Sequence, residues 1–310
     1  MTKIYSSIDK LIGNTPLVLL EKIKKEFSLN ASLLAKLEFF NPAGSVKDRV
    51  ALEMILEAEE KGTLKKGGTV IEATSGNTGI GLSAVCSAKG YNAVIVMPDN
   101  MSVERIKIMK GYGATVVLTP ASLGMVGAIK KAQEIKESTP NSFIAGQFEN
   151  LSNPLAHYKT TAPEIYNDLD GKVDIFVAGI GTGGTITGVG KYLKEKNPNT
   201  QVVGIEPLSS PFITQGKKGT HAIQGIGAGF IPKVLDLSVV DKVLTVSDSD
   251  AINFAKAVGK REGFTVGISS GAVISAGVNL AKLPENKGKN IVLLLADGGE
   301  KYLSTALFED

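Results

Sequence analysis

The order of apolar and polar positions along the chain alternates between two patterns. Short apolar runs rich in β-branched residues are followed by longer stretches with helical periodicity. This alternation predicts parallel strands joined by crossover helices, which is an α/β fold. Helix starts are predicted at Ser102, at Asn153 with Pro154, and at Ser247 with Asp250. The predicted strands are residues 69–72, 93–97, 115–118, 142–145, 174–178, 202–206, 242–246 and 291–295, after two earlier ones at 15–20 and 33–39.

Two stretches repeat the same local plan of a strand, a glycine-rich turn and a helix. They are residues 70–89 and 174–196. In open parallel sheets such turns lie at the carboxyl ends of the strands, where ligands bind. Because 310 residues suit two domains, we predict two, each with a mostly parallel twisted sheet flanked by helices and with the active site in the cleft between them. The smaller domain is predicted at 41–150 and the larger at 1–40 and 151–310.

Composition narrows the class of protein. An apolar content of 43% and a charged content of 21% are typical of a globular protein, and the net charge is only +3. No basic run is interleaved with aromatic residues, which argues against nucleic-acid binding. No stretch approaches the roughly 20 apolar residues that span a bilayer. The single cysteine, Cys86, lies in an apolar helical pattern and suits a reducing compartment, so we expect a cytoplasmic protein with a buried, inert thiol.

The motif Asn-Pro-Ala-Gly-Ser-Val-Lys-Asp-Arg at residues 41–49 places a lysine near a helix start. Ser45 and Asp48 have the spacing of a capping pair, so a helix is predicted over 46–62 with Lys47 in its first turn. A cation there is disfavoured by about 0.3–1 kcal/mol, because it faces the positive end of the helix dipole. The same field favours the neutral amine, which makes Lys47 a candidate for Schiff-base catalysis. The alternative is an ordinary surface lysine.

The turn at residues 179–185 follows a predicted strand and opens a helix. Its backbone N–H groups form an anion site, to which Thr182 and Thr185 add hydroxyl donors. Because the turn contains no lysine or arginine, it lacks the pattern for nucleoside triphosphates. A single phosphate dianion fits it better.

A rival interpretation of the same turn stays open. Its glycines also satisfy G-x-G-x-x-G, and Glu206 follows at the spacing of a dinucleotide-binding acid. A nicotinamide-dependent dehydrogenase is therefore a second hypothesis, and a non-catalytic binding module is a third. His157 and His221 are expected to be structural, and they are too few to indicate a metal site.

Two further turns carry short polar side chains. Residues 74–79 offer hydroxyl and amide donors at a helix N-terminus, which suits a carboxylate. With a nucleophilic lysine and a phosphate site, this predicts a site for an amino acid on pyridoxal phosphate. In residues 267–271, Ser269 and Ser270 are predicted to cap the helix that follows, with one of them able to face a ligand.

These motifs together resemble those of the fold-type II pyridoxal-phosphate enzymes (tryptophan synthase β-like), and within them the cysteine synthases, also called O-acetylserine sulfhydrylases. The resemblance spans nearly the whole chain in order. The matching blocks are NPAGSVKDR (41–49), EATSGNTGIGL (72–82), MPDNMSVER (97–105), GQFEN (146–150), GIGTGGTITGVGKYLK (179–194), GIGAGFIPKVLD (225–236), GISSGA (267–272) and EKYLST (300–305).

The resemblance implies a role for each site residue. Lys47 would bind the cofactor as a Schiff base, Asn77 would bond its phenolic oxygen, and Ser269 would meet its pyridine nitrogen, with Ser270 as the competing choice. The cofactor phosphate would be held by Gly181, Thr182, Gly183, Gly184 and Thr185. The substrate carboxylate would be bound by Thr74, Ser75, Gly76, Asn77, Thr78 and Gln147, with Gly225 at the start of the active-site loop.

The implied reaction converts O-acetyl-L-serine and sulfide into L-cysteine and acetate. Related β-replacement or β-elimination enzymes, such as a cystathionine β-synthase or a cysteine or serine β-lyase, remain alternatives. The resemblance further implies a homodimer and a partner, the C-terminal tail of serine acetyltransferase. The segment Ala296-Asp297-Gly298-Gly299 departs from the Pro and small hydroxyl residue that the family often carries there, which bears on substrate preference.

Overall fold

The computed structural model of the chain describes residues 4–309. Its strands are β1 Leu17–Leu19, β2 Ser32–Leu37, β3 Thr69–Ala73, β4 Asn92–Pro98, β5 Thr115–Thr119, β6 Ser142–Ile144, β7 Ile175–Gly179, β8 Gln201–Pro207, β9 Lys242–Val246 and β10 Asn290–Leu295. Its α-helices are α1 Glu21–Glu26, α2 Lys47–Glu60, α3 Asn77–Lys89, α4 Val103–Gly111, α5 Gly124–Ser138, α6 Ser152–Ala156, α7 Ala162–Asp168, α8 Gly184–Lys196, α9 Phe212–Gln215, α10 Asp248–Glu262 and α11 Ile268–Lys282.

The predicted strands agree with these elements to within about two residues at most ends. The first strand is shorter than expected, Leu17–Leu19 in place of 15–20. Thr15 instead uses its hydroxyl to bond the Glu38 carboxylate at 2.7 Å, and Pro16 has no N–H for a sheet ladder. Ser102 and Ser247 cap α4 and α10 as predicted, accepting from the N–H groups of Arg105 and Asp250.

The chain forms two compact units, one from residues 4–12 and 41–153 and the other from 13–40 and 154–309. All of residues 1–40 were predicted in the larger domain, but residues 4–12 pack with the smaller one. The reason is apolar contact: the short 3₁₀ helix Ile8–Leu11 lies against α3, and Ile12 packs on the core around Val85. The chain passes to the second unit after Asn153.

The smaller unit contains a four-stranded sheet in the order β5-β4-β3-β6, with every pair parallel. Apolar side chains of α2, α3 and the sheet, including Met54, Ile80 and Ile95, form its main core. From β3 the chain moves outward through β4 to β5, whereas β6 lies on the other side of β3. The strand order therefore reverses beside β3, and the carboxyl end of such a strand is where open sheets bind ligands.

The larger unit contains a six-stranded sheet in the order β1-β2-β10-β7-β8-β9. Only the pairing of β1 with β2 is antiparallel. Val177, Leu293 and Val278 belong to the core between this sheet and its helices. The order reverses beside β7, which has β8 on one side and β10 on the other. The predicted α/β class, with mostly parallel sheets flanked by helices, is confirmed.

Two further features of residues 4–309 bear on the class of protein. No helix in this range is long and apolar enough to cross a membrane. Cys86 is buried in α3, and burial raises the pKa of its thiol to about 12. The thiol is thus protonated at neutral pH and chemically inert, as predicted.

Candidate active site

Lys47 is the first residue of α2, as the motif predicted, and its side chain is half-buried. The predicted capping pair takes a different form. Val46 occupies the N-cap position and makes no side-chain cap, while the Ser45 hydroxyl accepts the Lys47 N–H at 3.2 Å. The Asp48 carboxylate accepts the Ala43 N–H at 2.6 Å. Asp48 therefore holds the segment before the helix, and Ser45 fixes the backbone of the lysine itself.

A glycine brings α3 against the backbone of Lys47. A Cβ added to Gly81 would lie 3.0 Å from the Lys47 carbonyl oxygen, tighter than ordinary van der Waals contact. The absent side chain lets the two helices pack closely at this point. Because α3 begins only four residues earlier, at Asn77, its N-terminal turn is near Lys47 in the smaller unit.

The turn after β3 joins that strand to α3. The turn and the first two residues of α3 contain the predicted carboxylate donors Thr74, Ser75, Gly76, Asn77 and Thr78. The Gly76 N–H bonds the Thr74 hydroxyl at 3.2 Å, and Gly76 stands at the N-cap of α3, where it has no side chain to cap the helix. A helix N-terminus presents backbone N–H groups and positive potential to an anion. The turn therefore has the chemistry of a carboxylate site.

Gln147 lies in the turn after β6 and contacts the start of α3. Its side chain is 6% exposed, and its amide oxygen accepts the Thr78 hydroxyl at 2.6 Å. The side-chain amide of Asn153 donates to the Gln147 carbonyl at 2.8 Å. In the smaller unit the structure thus joins residues 74–78 to Gln147 and packs the backbone of Lys47 against α3.

The turn after β7 is the predicted phosphate site, and close packing shapes it. A Cβ on Gly181 would lie 2.2 Å from the Gly225 carbonyl oxygen, and one on Gly179 would lie 2.7 Å from the Ile226 side chain. Gly183, at the N-cap of α8, has a φ of +85°, which favours glycine. These positions leave no room for side chains, so the backbone N–H groups themselves form the surface that a ligand would meet.

Hydroxyl groups complete this turn. Thr182 and Thr185 are 6% and 8% exposed, and the Thr182 hydroxyl accepts the Gly184 N–H at 3.3 Å. The Thr185 hydroxyl lies 3.2 Å from Nε2 of His157, whose Nδ1 lies 2.9 Å from the Thr161 hydroxyl. His157 begins a short π-helical segment, His157–Thr161, that packs against α8. His157 therefore contacts Thr185 next to the turn after β7, a contact that sequence reasoning did not predict.

Gly225 and Ser269 lie beside this turn in the larger unit. Gly225 has a φ of +94°, and a Cβ there would be 3.9 Å from the Ser269 hydroxyl. The N–H of Gly227 donates to the Ile180 carbonyl at 3.0 Å, which ties the segment after Gly225 to the glycine turn. Ser269 is in the first turn of α11. The structure thus brings residues 181–185, Gly225 and Ser269 together.

The two serines of α11 have different surroundings, and neither caps the helix. Gly267 occupies the N-cap position, which corrects the predicted capping role. The Ser270 side chain is fully buried, and its hydroxyl accepts the Ala296 N–H at 3.0 Å at the end of β10. Ser270 is therefore engaged in the core, whereas Ser269 lies on the side of Gly225.

Glu206 decides against the dinucleotide interpretation. Its carboxylate is buried and accepts the N–H groups of Ile213 at 2.8 Å and Thr214 at 3.1 Å, as well as the Thr214 hydroxyl at 2.5 Å. It binds the N-terminal end of the short helix α9. A carboxylate used in this way is not available to the hydroxyls of a ribose.

Comparison with known proteins assigns the family. The family described as pyridoxal-phosphate dependent enzyme matches residues 8–297. The chain belongs to this family. The cysteine synthase B of Campylobacter jejuni is 52% identical over 307 residues, which are 99% of this chain and 99% of that protein.

Two solved structures are also similar. The cysteine synthase of Entamoeba histolytica superposes with a TM-score of 0.96 at 45% identity, over 100% of this chain and 93% of that one. A hydrogen sulfide-producing enzyme of Fusobacterium nucleatum superposes with a TM-score of 0.92 at 47% identity, over 97% of this chain and 100% of that one.

The residues present fit pyridoxal phosphate, the cofactor of this family. The turn after β7 supplies backbone and hydroxyl donors without a fixed cation, which suits a single phosphate monoester. Its glycines let the turn pack directly against the backbone of Gly225, which a Cβ on Gly181 would approach to 2.2 Å. Lys47 supplies a primary amine and Ser269 a hydroxyl.

A residue that sequence reasoning passed over is Glu72, a buried acid in β3. Its only local signal is a charge within an apolar strand.

Proposed function

We propose that this pyridoxal-phosphate-dependent enzyme is a cysteine synthase, which converts O-acetyl-L-serine and sulfide into L-cysteine and acetate. The observation that carries the proposal is the 52% identity to a cysteine synthase over 99% of both chains. The set of donors and the amine described above supports it, because each part of an amino-acid substrate and of the cofactor has a matching group.

In this proposal the residues that bind the cofactor fall into two sets. Gly181, Thr182, Gly183, Gly184 and Thr185 bind the cofactor phosphate through backbone N–H groups and hydroxyls. Lys47 would hold the cofactor covalently in the resting enzyme, and Asn77 would bond its phenolic oxygen. The cofactor, when bound, supplies an electron sink for the bonds broken at the α-carbon of an amino acid.

The remaining residues orient the substrate and move protons. Donors of the turn 74–78 and the amide of Gln147 bind the substrate carboxylate, which fixes the α-carbon in place. The amine of Lys47, when free, would take the α-proton of the bound amino acid. Ser269 presents a neutral hydroxyl to the ring nitrogen. A hydroxyl does not hold that nitrogen protonated as an aspartate does, which favours loss of the β-acetate group over transamination.

A second candidate function is the release of hydrogen sulfide from L-cysteine by β-elimination. The observation in its favour is the 47% identity to a hydrogen sulfide-producing enzyme over 97% of this chain. Both reactions need the same lysine and the same carboxylate site, so they differ in the donor consumed and in whether a nucleophile adds.

A donor panel separates the two functions. Purified enzyme is assayed with O-acetylserine, O-phosphoserine, serine and cysteine, each with and without sulfide or homocysteine. We expect the fastest turnover with O-acetylserine plus sulfide, with acetate and cysteine formed in equal amounts. Rapid release of sulfide from cysteine beside negligible use of O-acetylserine would reject cysteine synthase in favour of the β-lyase.

The proposal extends to the protein's setting. A cytoplasmic homodimer is supported by the resemblance of the motifs, and the buried free thiol of Cys86 fits a reducing compartment. The C-terminal carboxylate of a serine acetyltransferase tail would use the same donors as the substrate carboxylate. Light scattering should give twice the mass of one chain, and such a tail peptide should compete with O-acetylserine. A monomer, or a peptide that binds without competing, would reject these extensions.

A further inference from the structure

Glu72 is a buried carboxylate at the carboxyl end of β3, next to the turn 74–78. It is 4% exposed, and its register partner on β4 is the apolar Ile95. Burial raises the pKa of Glu72 from 4.5 to about 7, while hydrogen bonds from Gly146 and Gln147 act in the opposite direction. Ionising a carboxyl group at this buried position costs free energy, so packing alone does not explain why a glutamate is present here.

Its two oxygens hold the turn that follows β6. Oε2 accepts the N–H of Gly146 at 2.7 Å, and Oε1 accepts the N–H of Gln147 at 3.3 Å. Gly146 has a φ of +66°, so the chain turns sharply there. Because β6 pairs with β3 in parallel, the carboxylate meets this turn directly at the same edge of the sheet.

Hydrogen bonds to the backbone N–H, the backbone carbonyl and the side-chain oxygen of Gln147 consequently fix its position. Glu72 accepts its N–H, Asn153 donates to its carbonyl at 2.8 Å, and Thr78 donates to its side-chain oxygen at 2.6 Å. The Gln147 side chain also helps to lower the pKa of the Glu72 carboxyl. The amide NH₂ of Gln147, the group that could donate to a carboxylate, is therefore placed by Glu72 and Thr78 together.

We propose that Glu72 is a positioning residue, whose carboxylate holds the Gly146–Gln147 backbone and so sets the Gln147 amide against Thr78 in the site for the substrate carboxylate. This rests on the proposed function, which assigns Thr78 and Gln147 to that site. The ionised carboxylate accepts both N–H groups, whereas the protonated acid accepts them more weakly. Binding of the amino acid should therefore weaken as the pH falls through about 7.

Glu149 provides an internal control on the charge. It is an exposed carboxylate on the same turn, and its negative charge raises the pKa of Glu72 further, as the smallest of the contributions. Glu149→Gln should therefore move the titration of Glu72 slightly toward lower pH without removing it.

The decisive variant is Glu72→Gln in the holoenzyme, with Glu206→Gln as the matched control. Glu206 is also a buried glutamate that accepts two successive backbone N–H groups, in the larger unit. For Glu72→Gln we expect KM for O-acetyl-L-serine to rise about tenfold, kcat to change about twofold at most, and the fall of kcat/KM below about pH 7 to diminish. For Glu206→Gln we expect KM within about twofold of wild type and the fall retained.

A spectroscopic readout separates positioning from a general loss of structure. The ¹⁵N-amide signals of Gly146 and Gln147 should titrate near pH 7 in wild type, at lower pH in Glu149→Gln, and not at all in Glu72→Gln. If Glu72→Gln does not fold, wild-type ¹⁵N-amide signals of Gly146 and Gln147 that fail to titrate near pH 7 overturn the proposal. If it folds, a KM equal to that of wild type across the pH range overturns it.

Failure of the proposed function has a different signature. In that case wild type itself would show no turnover of O-acetylserine. The positioning role fails when wild type is active and Glu72→Gln binds the substrate equally well.

Discussion

The turns that follow β3 and β7 perform similar tasks by different means. Each lies where the strand order of its sheet reverses, and each ends at the N-terminus of a helix. In the turn after β7, a Cβ on Gly181 or Gly183 would lie within 2.6 Å of a neighbouring atom. In the turn after β3, a Cβ on Gly76 would find no atom nearer than 4.0 Å.

The difference shows what each turn presents to a ligand. The turn after β7 is packed against the segment that starts at Gly225, so its shape is set by backbone and its donors are mainly N–H groups. The turn after β3 is less crowded and uses hydroxyl and amide side chains. Those side chains are positioned by bonds to other elements, as the contact of Thr78 with Gln147 shows. Substitutions should therefore damage the two turns through different properties.

The largest effect is expected from removing the amine to which the proposed function assigns the chemistry. Lys47→Ala should lower turnover by about 10²–10⁴-fold, because it removes the nucleophile and the base, while the fold is retained. The steady-state rate and the far-UV circular dichroism spectrum test this. Lys61→Ala is the control, since Lys61 is an exposed lysine at the end of the same helix and pairs with Glu57. Equal loss in both variants would contradict a specific role for Lys47.

The next effect separates the two turns directly. Gly181→Ala should weaken cofactor binding by about tenfold or more, because its methyl group would overlap the Gly225 carbonyl and the backbone must move. Gly76→Ala should leave cofactor affinity and thermal midpoint nearly unchanged. Fluorescence titration of apoenzyme with pyridoxal phosphate measures both. Similar affinities for the two variants would show that the crowding at Gly181 has no consequence for the ligand.

A smaller effect concerns how the stability of the folded protein changes with pH through the titration of Glu72. The folded protein raises the pKa of Glu72 from 4.5 to about 7, so it binds this proton more tightly than the unfolded chain. The stabilising contribution is complete below about pH 4.5 and is lost as the pH rises through about 7. Relative to Glu72→Gln, the unfolding free energy of wild type should fall on the order of 1–3 kcal/mol from about pH 5 to about pH 8. Denaturant titrations at both pH values measure it, and a constant difference would contradict it.

An effect of similar size distinguishes Ser269 from Ser270. Ser270→Ala should lower the unfolding free energy by about 1–3 kcal/mol, because the buried Ala296 N–H loses its acceptor. Ser269→Ala should cost less stability but should change the visible absorption of bound cofactor. Urea denaturation and absorption spectra of the holoenzymes test the pair. The reverse outcome would assign the ligand contact to Ser270.

Local patterns were enough to predict most of the fold and the two turns. The strands and the caps at Ser102 and Ser247 depend on side chains within a few positions of each other. The same holds for Lys47 at the start of α2. Patterns of this kind can be seen directly in the sequence, because periodicity and capping are short-range effects.

Long-range contacts account for what was missed. Glu72 binds a turn 74 residues further along the chain, and Ser270 binds the N–H of a residue 26 positions later. His157 meets Thr185 only because the π-helical segment packs on α8. Residues 4–12 join the smaller unit through apolar contacts with α3, which no boundary signal in the sequence marks.

The covalent attachment of the cofactor to Lys47 is the central claim of the proposed function. The most direct measurement is the visible absorption spectrum of the holoenzyme before and after borohydride, followed by peptide mapping. We expect a visible band that borohydride abolishes and a pyridoxyl phosphate label on Lys47 alone. A colourless protein that does not take up added pyridoxal phosphate, or a label on a different lysine, would contradict the assignment.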